Sequence, residues 1–358
     1  MKSLMDFGYL RLFKPLLFAI DTERAHRLML AVLSVTPAFS PVDDPPQLRS
    51  EVFGLSFSNP VGLAAGMDKD ASAILAWNLL GFGFCEVGTI TPRPQTGNPR
   101  PRIWRLPEHH ALINRLGFPS DGQEMVATRL ECARHRSFRI RLGLNLGPNS
   151  DTPGERIADD FLTLIRRLEG LADFIVFNLS SPNTPGLREL QAPERIRTII
   201  NTVRTGTSSA GRPPRILLKL APDLAAGQLR AICDAALELG LDGIVATNTT
   251  LARETVGVSA RYEGGLSGEP LKLRARATIA QIYRSTHGRI PIIGVGGVST
   301  AEDAYAHIRA GASLIELYTG LVYQGPAIVH HICDGLVRLL ADDGFGSINQ
   351  AIGVAVER

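Results

Sequence analysis

The sequence predicts a (β/α)8 barrel, an α/β fold, with a small two-helix extension at its N-terminus. Three features lead there. Short apolar runs recur from residue 52 onward, VGLAAG, FCEVGT, LGLNLG, FIVFNL, ILLKLA, GIVATN, IIGVGG and LIELYTG, each closing on or beside Gly, Asn, Lys or Thr. A stretch with helical spacing follows each run, the alternation expected of a parallel sheet, and eight such units are the number that closes a barrel. An open, doubly wound sheet is the alternative, but no GxGxxG opens a helix after the first run as a dinucleotide-binding unit requires.

Along the chain, Leu10, Phe13, Leu16, Leu17 and Ile20 fall on a rough helical period, Asp21-Thr22 break it, and Leu28, Leu30, Ala31 and Leu33 resume it. Two short helices are expected within an N-terminal unit of residues 1–42. Lys14-Pro15 and the charges of DTER interrupt the apolar run before the roughly 20 residues that a spanning helix needs, and no cleavage site for a secretory signal stands out. Residues 1–36 therefore read either as a hairpin lying in a membrane interface, with Lys2, Arg11 and Lys14 at anionic headgroups, or as a helical pair packed on its own barrel. DDPPQLRS (43–50) reads as a linker, and EVFGLSFSN as a hairpin closing the lower end of a barrel that spans residues 43–338. Residues 339–358 form a C-terminal tail with no assigned role.

With 44% apolar residues, 20% charged residues and a net charge of +3, the chain lacks the charge excess of a nucleic-acid binder. Cys85, Cys132, Cys233 and Cys333 show no CxxC spacing, and the doublets His109-His110 and His330-His331 show no ligand spacing. Neither a metal site nor a disulfide framework is expected, and a reducing compartment fits.

Chemistry in such a barrel sits on the loops after the strands. The strand-end residues are Ala65 to Lys69, Thr89, Asn145, Asn178 to Asn183, Lys219, Thr247 to Thr249, Gly296-Gly297 and Tyr318 to Gly320. GVGGVST and LYTGL end the last two strands, where (β/α)8 enzymes commonly bind phosphate, and GGLSG at 264–268 adds another glycine-rich approach. Lys219 at a strand end suits a cation beside a reduced flavin ring, while Asn145, Asn178 and Thr247 suit the edge of a planar heterocycle. Asn114, Asn178, Asn183, Asn248 and Thr249 match a small ring with amide edges, such as a pyrimidine, and Lys69 matches a carboxylate. Any one of these asparagines could equally serve as a turn cap.

NLSSPNTPGL, AAGMDKD, GTITPRPQTGNPRPRIWRL, INRLGF, LKLAPDL, ATNTT, GGLSG, PIIGVGG and ELYTG, in that family's order and spacing over about residues 9 to 330, together resemble the class 2 dihydroorotate dehydrogenases. The resemblance implies oxidation of (S)-dihydroorotate to orotate in pyrimidine biosynthesis, with FMN in the barrel and a membrane quinone as final acceptor. It implies Ser181 as the base that removes the C5 proton while hydride passes from C6 to FMN; class 1 relatives carry cysteine there. Thr184 with an ordered water is the implied relay, and Phe118 the shield. The implied FMN contacts are Ala65, Gly66, Lys69, Thr89, Asn145, Asn178, Lys219, Thr247, Gly268, Gly297, Tyr318 and Thr319. The implied substrate contacts are Lys69, Asn114, Arg115, Leu116, Gly117, Phe118, Asn178, Asn183, Asn248 and Thr249, and the implied quinone-side residues are His26 and Arg105.

Two departures from the family stand out. Pro119-Ser120 replaces an asparagine pair and is expected to stiffen the loop over the substrate. Glu316 stands where glutamine is commoner and is expected to face a helix or solvent. The rival readings are a colourless (β/α)8 phosphate-sugar isomerase or synthase, and a membrane-docked binding protein that has lost activity. The lack of an Arg- and Ser-rich leader favours the cytoplasmic face of a bacterial inner membrane. Removing residues 1 to 40 is expected to abolish quinone reduction while sparing flavin reduction.

Overall fold

A computed structural model describes residues 8–37, 43–136, 138–184, 186–207, 214–254, 256–257 and 262–356. A π-helical turn, Gly8–Phe13, leads into α1 (Lys14–Ala19) and α2 (Thr22–Ser34). The expected break is a cap: Asp21 Oδ1 accepts the Arg24 N–H at 2.9 Å and starts α2. The expected hairpin is β1 (Ser50–Val52) paired with β2 (Leu55–Phe57). Its Phe53 and Phe57 pack against Phe174 and Phe84, and the four rings plug the N-terminal end of the barrel.

The further strands are β3 (Val61–Leu63), β4 (Phe84–Ile90), β5 (Ile103–Leu106), β6 (Ala111–Asn114), β7 (Arg141–Leu146), β8 (Phe174–Asn178), β9 (Ile216–Leu220), β10 (Gly243–Ala246), β11 (Gly265–Gly268), β12 (Ile292–Val295) and β13 (Leu314–Leu317). Strands β3, β4, β7, β8, β9, β10, β12 and β13 pair in parallel in that order, and β13 returns to β3 to close the barrel. All eight of the expected apolar runs carry these strands.

Around the barrel lie α3 (Ile74–Leu79), α4 (Gln123–Arg134), α5 (Ile157–Leu168), α6 (Pro193–Gly206), α7 (Ala226–Glu238), α8 (Lys272–Thr286), α9 (Ala301–Arg309), the short α10 (Thr319–Gln324) and α11 (Ile328–Asp342). Helix α5 shows the packing rule. Ile157, Phe161, Leu164, Ile165 and Leu168 recur at helical spacing and are buried against the sheet, each large side chain worth about 1.5–3 kcal/mol on burial. Phe161 stacks on Phe177 of β8 at 4.4 Å.

Three features differ from the sequence reading. GLSG is strand β11, which joins β6 and β5 in a small antiparallel sheet at the barrel mouth. Its backbone lies so close to the loop after β10 that a Cβ on Gly265 would fall 1.8 Å from Thr249 Oγ1, so glycine here permits contact between two chain segments. Second, α11 continues through residue 338 to Asp342. The segment after it packs back on the barrel, with Ile348 and Ala351 fully buried and the Gly353 N–H bonded to Ile308 O at 3.1 Å. Third, the linker contains a 3-10 turn, Pro46–Leu48, anchored by buried Leu48. Among the described residues no helix is long and apolar enough to cross a membrane.

Candidate active site

At the C-terminal ends of the strands the barrel interior turns from apolar to polar. Asn178 Nδ2 donates to Thr89 Oγ1 at 3.0 Å and to Asn145 Oδ1 at 3.1 Å, and Asn248 Nδ2 donates to Asn178 Oδ1 and Ser180 Oγ at 3.2 and 2.9 Å. Asn145 Nδ2 in turn donates to Glu86. Beneath this layer Lys219 Nζ lies 3.1 Å from Glu86 Oε2 and 3.8 Å from Glu316 Oε2. The expectation that Glu316 faces a helix or solvent is therefore corrected: it is 1% exposed and points into the barrel. The physical reason is β13's register, which sends Glu316 inward beside Lys219.

Two carboxylates against one ammonium leave this buried cluster one negative charge in excess unless one carboxyl is protonated. Glu86 has the Lys219 and Asn145 donors, whereas no donor among the described residues reaches either Glu316 oxygen, and the Glu316 carboxyl faces Glu86. Burial, reinforced by repulsion from Glu86, raises the Glu316 pKa well above the usual carboxyl range, so the proton resides on Glu316. Burial alone would depress Lys219, but attraction from the ionised Glu86 carboxylate, which it also hydrogen-bonds, outweighs it and keeps the ammonium charged.

The loop after β8 carries Ser181, whose buried Oγ accepts the Asn183 N–H at 3.2 Å. Asn183 Nδ2 donates to Asn114 Oδ1 at 3.0 Å, drawing the end of β6 to the same place. Arg188 pins this loop to the one after β10: its Nε donates to Ser180 O at 3.1 Å, its Nη2 to Thr249 O at 2.9 Å, and its Nη1 pairs with Asp223 at 2.9 Å. In AAGMDKD the buried Asp68 accepts the Ser72 and Ala73 N–H groups, both at 2.8 Å, and the Trp77 indole at 3.0 Å. That turn aims Lys69 at the cavity, where burial above all lowers its pKa to about 8.

These groups line a cavity with about 1080 Å³ of empty space, its mouth included. Gly296, Gly297 and Thr319 line its wall at the last two strands, Gly268 of β11 also lines it, and Gly297 has φ +73°, a conformation that disfavours side chains. Beside it, beneath α1 and α2, lies a second cavity of about 1420 Å³ lined almost wholly by apolar side chains. Ile103, Leu112 and Tyr318 line both. His26 lines the apolar cavity, and burial, then repulsion from Lys69, lowers its pKa to about 3, leaving a neutral imidazole. Arg105 also lines it, but its donors cap α1 at Leu17 O, Phe18 O and Ile20 O, at 3.0, 3.1 and 3.1 Å.

Most of the residues named from the sequence meet here. Ala65, Gly66, Lys69, Thr89, Asn178, Lys219, Thr247, Gly268, Gly297, Tyr318 and Thr319 line the first cavity, as do Asn114, Leu116, Gly117, Phe118, Ser181, Asn183, Asn248 and Thr249. Three do not. Asn145 sits behind Thr89 and Asn178 as their support. Arg115 turns outward to Glu263 at 3.1 Å. Half-buried Thr184 is outside the cavity wall. Sequence reasoning missed Glu86, Ser267 and the clasp of Gln95, Asn98 and Arg102 over the substrate loop; FCEVGT carried a signal for the first, a charge inside an apolar run.

The cavity also tests which ligand it suits. Buried Thr247 Oγ1 and Asn183 Oδ1 find no partner among the described residues, although buried polar groups are normally satisfied. With a glycine-lined wall and a cationic lysine, they fit a phosphate-bearing, hydrogen-bonding planar cofactor such as FMN with a small polar substrate beside it. Fold and site thus define a (β/α)8-barrel enzyme with a polar, cofactor-sized pocket opening beside an apolar one.

The family model described as dihydroorotate dehydrogenase matches residues 47–340. The chain belongs to the dihydroorotate dehydrogenase family. It is 49% identical over 356 residues to a protein of Roseiflexus sp. (strain RS-1) named dihydroorotate dehydrogenase (quinone), covering 96% of this chain and 98% of that one. A Mycobacterium bovis protein of the same name is 45% identical, with 97% and 98% covered. The crystal structure of Eimeria tenella DHODH in complex with ferulenol superposes with a TM-score of 0.87 at 42% identity, covering 93% of this chain and 95% of that one. The ligand-free form of that enzyme gives 0.88 at 40% identity, with 94% and 100% covered.

Proposed function

We propose that this chain oxidises (S)-dihydroorotate to orotate, with FMN as hydride acceptor and a membrane quinone as final electron acceptor, in pyrimidine biosynthesis. The observation that carries the reading is the shared wall of Ile103, Leu112 and Tyr318, which sets a polar pocket containing Ser181 and Lys69 directly against an apolar cavity. A phosphate-sugar isomerase needs no such second cavity. The quinone in the names of the Roseiflexus and Mycobacterium relatives points the same way.

Bound FMN supplies a two-electron acceptor that takes hydride from carbon and can be reoxidised by a quinone. In this reading Gly268, Gly297 and Thr319 would hold its phosphate, and Thr89, Asn178 and Thr247, with Ala65, Gly66 and Tyr318, would hold its ring. The charged Lys219 would supply the cation beside the flavin ring, and Asn145 holds Thr89 and Asn178 in place. Lys69 meets the substrate carboxylate; Asn114, Asn183, Asn248 and Thr249 orient its amide edges; Leu116 to Phe118 cover it. Ser181 Oγ takes the C5 proton as hydride leaves C6. A neutral hydroxyl is a weak base, and the Asn183 N–H at 3.2 Å favours the negative charge that develops on Oγ. Thr184, reached through water, passes the proton on. Phe118 excludes bulk water.

Peripheral membrane attachment through residues 1–36, at the cytoplasmic face of a bacterial inner membrane, completes the proposal. It is supported by Leu12, Phe13, Leu16 and Val32, which are 56–68% exposed on the N-terminal helices. Lys14 contributes no headgroup contact, because its Nζ donates inward to Tyr323 O at 2.9 Å. Lys2 lies outside the described residues. An absorption spectrum followed by anaerobic dihydroorotate tests the core of the reading. A flavin band that bleaches with dihydroorotate and returns with a short-chain quinone is expected. A flavin band that does not bleach removes the substrate, and a protein that takes up no FMN removes the whole assignment.

A further inference from the structure

We propose that Arg102 is a positioning residue that ties the substrate loop to helix α2, so that the seating of α2 governs substrate affinity. The proposal rests on the dihydroorotate reading above. Arg102 is 5% exposed. Its Nε and Nη2 donate to the two oxygens of Glu23, in the first turn of α2, at 3.1 and 2.7 Å. Its Nη1 donates to Thr96 O and Asn98 O at 2.6 and 2.9 Å. One planar guanidinium thereby fixes the helix and the 95–98 segment relative to each other.

That segment clasps the substrate loop by its backbone. The Asn98 N–H donates to Leu116 O at 2.9 Å, and Asn98 Nδ2 donates to Arg115 O and Asn183 O at 2.9 and 3.1 Å. Gln95 Nε2 donates to Phe118 O at 2.8 Å, and the Gln95 and Ser120 backbones bond each other in both directions. Gly97, at φ +72°, closes the fit, because a Cβ there would lie 2.3 Å from Leu116 O. Asn183 is both an endpoint of this clasp and the donor to Ser181 Oγ. A shift of α2 is therefore transmitted in a few hydrogen bonds to the residues around the substrate.

Charge provides a second route. The groups acting on Lys69 are Asp68 and Asp70 on its own loop, Glu23 on α2, and Arg102. Lys69 in turn repels protonation of His26 on α2. Loss of the Glu23 carboxylate leaves Lys69 facing Arg102 without its counter-charge and eases deprotonation of the ammonium. Helix α2 also rests partly over a cavity, with Met29, Leu30 and Leu33 as its half-buried contacts to the core. Ala25 is its one buried residue, and the large apolar cavity lies beneath it. What fills that cavity can thus reach the substrate through Glu23 and Arg102.

The test compares full-length, FMN-loaded wild type with Glu23→Gln, using orotate titrated against the flavin spectrum and anaerobic reduction by dihydroorotate from pH 6.5 to 9. Glu23→Gln is expected to weaken orotate at least tenfold, to change the limiting rate of flavin reduction much less, and to move the alkaline loss of affinity to lower pH. Arg100→Gln, which removes the exposed second partner of Glu23, an arginine whose Nε donates to Glu23 Oε2 at 3.1 Å, is expected to leave all three unchanged. If Glu23→Gln does not fold, Glu23→Asp keeps the charge and is expected to weaken orotate while leaving the pH limb in place. Orotate affinity and pH limb unchanged in the folded Glu23 variant, even with a lowered Tm, would overturn the coupling and leave the enzyme reading intact. Wild type that neither binds orotate nor bleaches would overturn both.

Discussion

Replacing Glu316 by Gln exchanges a buried, protonated carboxyl for a neutral group of nearly the same shape. The carboxyl's folded pKa lies well above its ordinary value, from burial first and Glu86 second. Its unfolded pKa is about 4.3. A raised folded pKa means that the native state holds a proton the unfolded chain has released. The resulting stabilisation is fully present below about pH 4.3 and is lost as pH climbs toward the folded value. Within that window wild type loses about 1.4 kcal/mol per pH unit from this one group, and Glu316→Gln does not. Other titrating groups are common to both proteins and cancel in the difference. Over the part of that window lying below the folded pKa, the variant therefore gains the same amount on wild type with each pH unit, on the order of 2–3 °C in Tm per unit for a chain of this size. Thermal unfolding of both proteins at pH 5, 6 and 7 measures it. Parallel Tm curves would show that Glu316 is ionised in the folded protein and that the charge count around Lys219 is wrong.

Further outcomes follow from the same geometry. Ser181→Ala is expected to keep its flavin band and slow reduction by dihydroorotate by about 10²–10⁴-fold, the range for loss of a positioned base; near-normal reduction at neutral pH in stopped flow would remove Ser181 from that role. Since Lys69 loses its proton near pH 8, orotate affinity of the wild type should be level below that pH and fall above it. Lys69→Met should bind weakly with no such limb, and a limb that persists in the variant would assign it to another group. Substituting Leu12, Phe13 and Leu16 by Ser should abolish co-sedimentation with liposomes containing anionic lipid without lowering flavin content, whereas continued sedimentation would place the membrane contact elsewhere.

Those features whose causes are local were legible in the chain. The barrel strands are short, apolar on both faces and separated by helical spacing, and that pattern follows from burial of a parallel sheet between its own interior and a ring of helices. The break at Asp21-Thr22 was legible because the carboxylate that makes it accepts an N–H only three residues on. The loop from Asn178 to Asn183 stood out as polar residues ending a buried strand, and the structure places Asn178, Ser181 and Asn183 in the cavity wall.

Orientation and long-range partnership were not legible. In LIEL of β13 all four residues are buried, so no alternation marked which side chain enters the barrel, and Glu316 was assigned to the wrong face. Asn145, Arg115 and Thr184 lie at the right places in the sequence, yet one supports the wall from behind, one turns to Glu263, and one stays outside the wall. Glu23 and Arg102 are 79 residues apart, and nothing in either neighbourhood names the other. The sequence by itself determined the barrel, the polar strand ends and the inventory of chemical groups, because burial period and turn chemistry act over a few residues. Only the tertiary structure decided which groups face the pocket, which carboxyl keeps its proton, and which helix holds the substrate loop, because those depend on distances and desolvation between segments that the chain brings together only on folding.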